Sequence, residues 1–448
     1  MIRNLLFSFV WSILFFTCNP PKNTTTVPQN IPIAEFPLPQ KDTLAALPIP
    51  ENPPTPISTP ASTPPTPMPI TPPPRQESKA LQVGAEQTAQ LLPLLSHKKV
   101  ALVVNQTSLV EKKHLVDALL AESIDIVKVF APEHGFRGIA ANGEKIANTV
   151  DEKTGLPIIS LYGKTRKPTA EMLQDIDVLV FDIQDVGARF YTYISTLYYI
   201  MEAAASYNKE VVVLDRPNPN GHYIDGCMLN PLYKSFVGMI NVPIVHGMTV
   251  GEIAKMLNGE HKIGDRTCKL SVIPCKNYSH KTPYSLSIKP SPNLPNDLAV
   301  YLYPSLCLFE GTIVSVGRGT DKQFQIIGAP EYNKSLYSFT PTPKEGAMSP
   351  PYNGQTCFGY DLSALSAKDI RNQKGIELKW LIQMYNECPD KKKFFSNANF
   401  FDQLAGNSSL REQIIAGKSI ATIKASWQED LKAFQQVRKK YLLYPDFE

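Results

Sequence analysis

Residues 177–193 read DVLVFDIQDVGARFYTY. Val178 to Phe181 form an apolar run with no polar residue between them. A strand with one wet face alternates apolar and polar side chains, whereas a strand covered on both faces does not. The run therefore predicts a strand in a parallel sheet. A polar loop follows it, and Tyr191 to Tyr207 then have helical length and periodicity.

The same signature repeats outward in both directions. Upstream lie KVALVVN (99–105), IDIVKVF (124–130) and PIISLY (157–162), and downstream lies EVVVLDR (210–216). Helical stretches fall between them at Lys113–Glu122 and Thr169–Gln174. Strands alternating with helices predict an α/β fold, here a Rossmann-like doubly wound parallel sheet. After about residue 260 the regularity fades. CKLSVIPC (268–275) reads as a strand, KPSPNLPND (289–297) as a loop and EGTIVSVGRGT (310–320) as an apolar turn-strand segment. Helices are expected near Glu377–Glu387 and Glu429–Tyr441. These features predict a smaller α+β C-terminal domain, with the first domain spanning 81–262 and the second 263–448.

Composition narrows the function classes. Of 448 residues, 43% are hydrophobic and 19% charged, with a formal net charge of +4. That balance permits a sizeable core. No basic cluster with interleaved aromatics is present, so no nucleic-acid partner is expected. The first strand is followed by NQTSLVEKK, not by GxGxxG, and no Walker motif occurs, so no cofactor is expected.

The N-terminus reads as a targeting segment. Arg3 precedes the apolar stretch Leu5–Phe16, too short to cross a bilayer comfortably. It ends in FFTC, where Cys18 would carry the lipid of a bacterial lipoprotein. Residues 1–18 are thus expected to be a lipoprotein-type signal peptide, and 19–80 a Pro/Thr-rich tether. Residues 19–76 hold 19 of the 40 prolines. Proline-rich chain extends about 3.1 Å per residue, so the tether could span roughly 180 Å. The expectation is an exported protein anchored at a membrane, on the periplasmic face or at the outer membrane. The other cysteines, Cys227, Cys268, Cys275, Cys307, Cys357 and Cys388, form no compact disulfide framework and no zinc-ligand spacing, so no metal is expected. One bridge, between Cys268 and Cys275, is compatible with the sequence.

Ligands of open parallel sheets bind at the carboxyl ends of the strands. The first strand is followed by Asn105, Gln106 and Thr107, and the second by Glu133, His134 and Arg137. Tyr162 and Lys164 follow the third, and Asp182, Gln184, Asp185, Arg189, Tyr191 and Tyr193 come from FDIQDVGARFYTY. Asp215, Arg216, Asn218 and Asn220 follow the fifth. This rim is rich in carboxylates, amides, arginines and tyrosines. It has no GxSxG serine and no cysteine beside a histidine. Such a set suits a sugar, and glycoside hydrolysis needs one carboxyl group to protonate the leaving oxygen. Glu133, between Pro132 and the His134–Phe136 turn, is the best placed. The alternative for Glu133 is an N-cap or a loop ion pair with Arg137. His134 and His246 (in VHGMT) read as a base or as loop hydrogen-bonding groups. Asp185 and Arg189 are four apart, compatible also with a helical ion pair. Asp215 could simply cap its turn. Arg318, between two glycines in SVGRGT, could present its planar fork to a carboxylate or pair with Asp321.

Several stretches resemble the family of NamZ-type exo-β-N-acetylmuramidases. They are NQTS, FAPEHGFRG, KTGLPIISLYGKTRKPT, DVLVFDIQDVGARFYTY, VVVLDRPNPNG, HGMTVGEIA, SPNLP and GRGT, in order over roughly residues 83 to 330. The resemblance implies a cleft between a Rossmann-like domain and a smaller C-terminal one. It implies release of terminal N-acetylmuramic acid from the non-reducing ends of peptidoglycan fragments, with Glu133 as the catalytic acid. It puts Asp185, Arg189 and Tyr191 at the site, and gives Arg189 or Arg318 a purpose in binding the sugar's lactyl carboxylate. The expected catalytic set is Glu133, Asp185 and His134. The expected substrate-binding set is Asn105, Arg137, Asp182, Gln184, Arg189, Tyr191, Asp215, Arg216, Asn218, His246, Asn293 and Arg318. Two alternatives stand beside the glycosidase: a catalytically silent peptidoglycan-binding lipoprotein, and a metal-dependent amidase or deacetylase.

Overall fold

The structure is a computed structural model that describes residues 80–133, 135–136, 148–163 and 165–448. The expected signal peptide, Cys18 and the tether as far as residue 79 lie outside the described residues, as do His134, Arg137 and Lys164.

The central layer is a seven-stranded sheet. Its strands in chain order are β1 (Val100–Val104), β2 (Ile126–Ala131), β3 (Thr149–Val150), β4 (Pro157–Ser160), β5 (Val178–Asp182), β6 (Glu210–Leu214) and, later, β9 (Lys269–Ile273). Between the last two, β7 (Asp225–Met228) and β8 (Pro243–Val245) form a separate antiparallel pair. The sheet order is β9-β6-β5-β1-β2-β4-β3. Neighbours run parallel except β3, which is antiparallel to β4. The chain winds outward from β1 through β2 and β4, returns to β5 beside β1, and winds outward the other way. The reversal lies between β1 and β5, which is where doubly wound sheets open a crevice.

The unbroken apolar runs are explained by two-sided burial. Alternate residues of β1 enter different cores: Val100, Leu102 and Val104 pack on one face, Ala101 and Val103 on the other. The first face is covered by Leu91 and Leu95 of α1 (Thr88–Leu95) and by Leu115 and Leu119 of α2 (Leu115–Ala121). The second is covered by α4 (Tyr193–Ser206) and α5 (Val250–Gly259), through Leu197, Met201, Ile253 and Leu257. The short α3 (Ala170–Leu173) precedes β5. Each fully buried Leu, Val or Phe contributes about 1.5–3 kcal/mol, so a strand such as β5 is stable only between two helical layers.

β9 lies beyond the expected domain boundary at 262/263, yet it pairs with β6 along its whole length. α6 (Asp297–Leu306) follows. Next come a three-stranded antiparallel sheet of β10 (Ile326–Ala329), β12 (Cys357–Asp361) and β11 (Tyr337–Phe339), and seven helices from α7 (Ala367–Gln373) to α13 (Gln428–Lys439). The apolar segment expected at 310–320 is not a strand: only Ser315 forms an isolated bridge, to Gly328. The helices expected near the C-terminus are α8 (Lys379–Glu387) and α13. Past α13 the chain returns to the main sheet. Tyr444 Oη donates to Asp215 at the end of β6, and buried Arg438 donates to Gly247 O and to Asp446.

Cys268 and Cys275 are both free and buried. They flank opposite ends of β9. At about 3.3 Å per extended residue they stand well beyond the 7 Å limit for a disulfide.

Candidate active site

A cleft of about 360 Å³ opens beyond the carboxyl ends of the strands, and both parts of the fold line it. Glu133 comes from the loop after β2 and Tyr162 from the loop after β4. Tyr191, Thr192 and Tyr193 come from the entry to α4. From the C-terminal part come Glu310, Arg318 and, on α10 (Ala398–Ala405), Phe400 and Gln403.

Glu133 is 7% exposed. Thr192 Oγ1 donates to its Oε2 over 2.8 Å, and the Tyr162 hydroxyl is also hydrogen-bonded to it. Thr192 occupies the N-cap of α4 but makes no side-chain cap bond. A cap hydroxyl normally stabilises a helix by about 1 kcal/mol; here it holds a carboxylate instead. Burial, and then the charge of Glu133, push the Tyr162 hydroxyl above its ordinary value. Tyr162 is therefore an uncharged donor, fixed against Glu133.

Across the cleft, Arg318 donates through Nε to Glu310 Oε1 over 2.5 Å, and its guanidinium lies 5.1 Å from the Phe324 ring centre. Burial works against its charge, but Glu310 reverses that and holds Arg318 above its ordinary pKa. Its expected alternative partner, Asp321, pairs with Lys344 instead. Glu310 and Glu133 are the carboxylates that line the cleft among the described residues. Asn293 gives its amide N–H to Gly346 O, and its buried Oδ1 has no hydrogen-bond partner among the described residues. An acceptor left open beside a cleft is a place for a ligand hydroxyl. Tyr191 donates to Pro290 O over 2.7 Å and so fixes the 289–297 loop that carries Asn293.

The remaining expected residues are drawn inward. Arg189 is fully buried, and its guanidinium donates to the carbonyls of Cys227, Val242 and Leu404 at 2.7–2.9 Å. Burial lowers its pKa to about 10. It ties β7, the residue before β8 and α10 together and does not line the cleft. Asp185 also lies beneath the cleft. Its Oδ2 accepts from Gly187 N, while its Oδ1 has no partner among the described residues. Burial raises Asp185 to about 7, only partly offset by the N–H groups of Gly187 and Val186. His246 faces it at 3.9 Å and is depressed to about 3, chiefly by burial. Asp182 and Arg216 form a bidentate pair at 2.5 and 2.9 Å. Asp215 accepts from Thr249 Oγ1 and Gly251 N, clamping the start of α5, and burial raises it to about 6. Gln184 bridges Asp185 O and Pro217 O, Asn218 holds Met248 O, and Asn105 turns back on Thr107. These groups hold the loops that carry the cleft rather than lining it. Gly187 shows how tightly: a Cβ there would meet Asn218 Oδ1 at 2.2 Å, and its φ is +80°.

The residues not expected at the cleft are Thr192, Glu310, Phe400, Gln403 and the pair Arg166 and Phe236, where the guanidinium sits 4.2 Å from the ring centre. Tyr162, expected at the rim, is there; of the unexpected residues Glu310 carried a signal, because it opens the stretch containing Arg318. Phe400 and Gln403 arrive on a helix far along the chain, with no local sign. Among the described residues no three His, Cys, Asp or Glu side chains gather as a metal site.

Family models described as "Exo-beta-N-acetylmuramidase NamZ, N-terminal" and "C-terminal" match residues 100–298 and 301–444. The chain is 40% identical over 368 residues to the "Peptidoglycan beta-N-acetylmuramidase NamZ" of Bacillus subtilis (strain 168), covering 78% of this chain and 88% of that protein. Two solved structures of DUF1343 family proteins from Bacteroides fragilis NCTC 9343 are also similar. One has TM-score 0.76 and 47% identity, covering 82% of this chain and 99% of the other. The second has TM-score 0.66 and 31% identity, covering 81% and 99%.

Proposed function

The chain belongs to the family of the exo-β-N-acetylmuramidase NamZ, a family of glycoside hydrolases, and from that premise we propose the residues and the bond on which it acts. The enzyme removes terminal β-linked N-acetylmuramic acid from the non-reducing ends of peptidoglycan fragments. Glu133 is the proton donor. As the bond from the anomeric carbon to the leaving oxygen breaks, the Glu133 proton passes to that oxygen; the hydroxyl of a water then bonds the anomeric carbon, and the proton that water releases restores the acid. Thr192 and Tyr162 fix the carboxyl group, which supports its use as an acid held in one orientation.

Arg318 reads the lactyl carboxylate that distinguishes muramic acid from glucosamine. Glu310 keeps its fork in place, and the terminal guanidinium nitrogens have no hydrogen-bond partner among the described residues. A proton donor and a carboxylate reader lining one cleft of single-sugar size is the observation that carries this reading. The leader and tether fit an exported enzyme held to a membrane through Cys18, within reach of wall fragments.

Replacing Glu133 by Gln keeps the shape and removes the proton. With N-acetylmuramyl-β-1,4-N-acetylglucosamine as substrate, turnover is expected to fall about 10²–10⁴-fold while the disaccharide still binds. Near-normal release of muramic acid by this variant would remove Glu133 from the role.

A further inference from the structure

The cleft does not end at Arg318. A second cavity, of about 750 Å³, shares Glu310, Arg318 and Phe400 with it, so these three side chains form a common wall. Glu133 lines only the first cavity. The second is walled on one side by Ile313, Val314 and Val316, and on the other by the loop from Gly346 to Tyr352. Tyr352 Oη donates to Ile313 O over 2.6 Å and ties the two walls together. Gly346 O accepts from Asn293, so the loop is also anchored to the residue with the open acceptor in the first cavity. A Cβ on Gly346 would meet Pro292 at 2.4 Å, which keeps that junction close.

The geometry points to a specific occupant. We propose that the second cavity receives a peptide joined by an amide bond to the lactyl carboxyl of the muramic acid bound in the first. The proposal rests on the reading of Glu133 and Arg318 given above. The proton donor marks where the rest of the saccharide departs, and it has no part in the second cavity. The leaving sugar therefore lies elsewhere. Arg318 marks the lactyl arm, and whatever is attached to that carboxyl continues beyond Arg318. The guanidinium donates to an amide carbonyl as it does to a carboxylate oxygen. The walls beyond it mix aliphatic side chains and proline with backbone, a surface suited to an extended peptide with small apolar side chains. The carboxylate there among the described residues, Glu310, is already paired with Arg318.

Two aryl β-glycosides test this: one of N-acetylmuramic acid, the other of the same sugar bearing an L-alanyl-D-isoglutamine dipeptide on the lactyl carboxyl. The wild-type enzyme is expected to release the aryl alcohol from both, with kcat/KM values within about tenfold of each other. Ser349 is exposed at the rim of the second cavity and does not line the first. Ser349→Trp is expected to lower kcat/KM for the dipeptide substrate by about tenfold or more, with the plain muramide changed less than about twofold. Met348→Trp, at a second exposed rim position, is expected to do the same. Hydrolysis of the plain muramide without hydrolysis of the dipeptide form overturns the proposal and leaves Glu133 and Arg318 in their roles. Equal effects of both variants on both substrates, or no effect on either, also overturn it. Hydrolysis of neither substrate by the wild-type enzyme overturns the reading on which the proposal rests.

Discussion

Two arginines, Arg189 and Arg318, separate the two kinds of polar residue in this molecule. Both are candidates for the sugar's carboxylate from sequence, and both follow apolar runs. Arg189 faces backbone carbonyls and is sealed under the cleft. Arg318 faces a carboxylate through one nitrogen and the cleft through the rest of its fork. The first arrangement commits both terminal nitrogens to backbone carbonyls, and its Nε–H, without a partner among the described residues, is buried out of a ligand's reach. The second leaves most of the fork available and still prevents the charge from being unpaired. Guanidinium groups in the loops of an α/β fold can thus be structural ties or ligand readers, and their hydrogen-bond acceptors distinguish the two.

The contrast can be broken most directly at Arg189. Arg189→Met leaves three buried carbonyls without donors and is expected to cost about 3 kcal/mol or more in stability. The expected result is a large fall in melting temperature, with KM of the remaining folded enzyme unchanged. A raised KM at an unchanged melting temperature would make Arg189 a ligand reader after all. Arg318→Met is expected to show the opposite pattern. It should lower kcat/KM for a muramide about 10–100-fold, mainly through KM, while melting shifts little. An unaffected KM would remove Arg318 from substrate binding.

The smallest expected effect is at Asp185, and it sharpens the contrast through pH. Its folded pKa, about 7, lies above the ordinary 3.8. The stability it contributes is present when it is protonated and is lost as pH rises from about 4 to about 7. Asp185→Asn has no such loss. Between pH 5 and pH 7 the wild type should therefore lose about 2 kcal/mol relative to the variant, read from paired thermal melts. His246 titrates in both proteins, so its own dependence, which runs the other way, largely cancels. A constant gap between the two melts would mean that Asp185 is ionised in the fold throughout that range.

Much of the fold was legible because two-sided burial leaves a direct mark. Val100–Val104 and Val178–Phe181 can be apolar throughout only if helices cover both faces. Glu133 was legible because the strand end places its loop at the rim. The direction of the other rim residues was not legible. Asp182 turns inward because Arg216, from a different strand-end loop, meets it with two hydrogen bonds. Asp215 turns inward because Thr249, Gly251 and the distant Tyr444 meet it. Those partners are fixed by tertiary packing, and no local spacing announces them. β9 was legible as a strand in CKLSVIPC, but its place in the main sheet was not, because only the ladder to β6 assigns it there.

The return of the chain to β6 after α13 has a mechanical consequence. The polypeptide leaves the main sheet once, to build the far wall of the cleft, and is then fastened back by Tyr444, which meets Asp215 at the end of β6, and by Arg438, which Asp446 holds and which donates to Gly247 O before α5. A jaw that swings needs one free end, and this one is buckled at both. The width of the opening is thereby set before any sugar arrives, and fusing bulk to the last residues would loosen the buckle far from the chemistry.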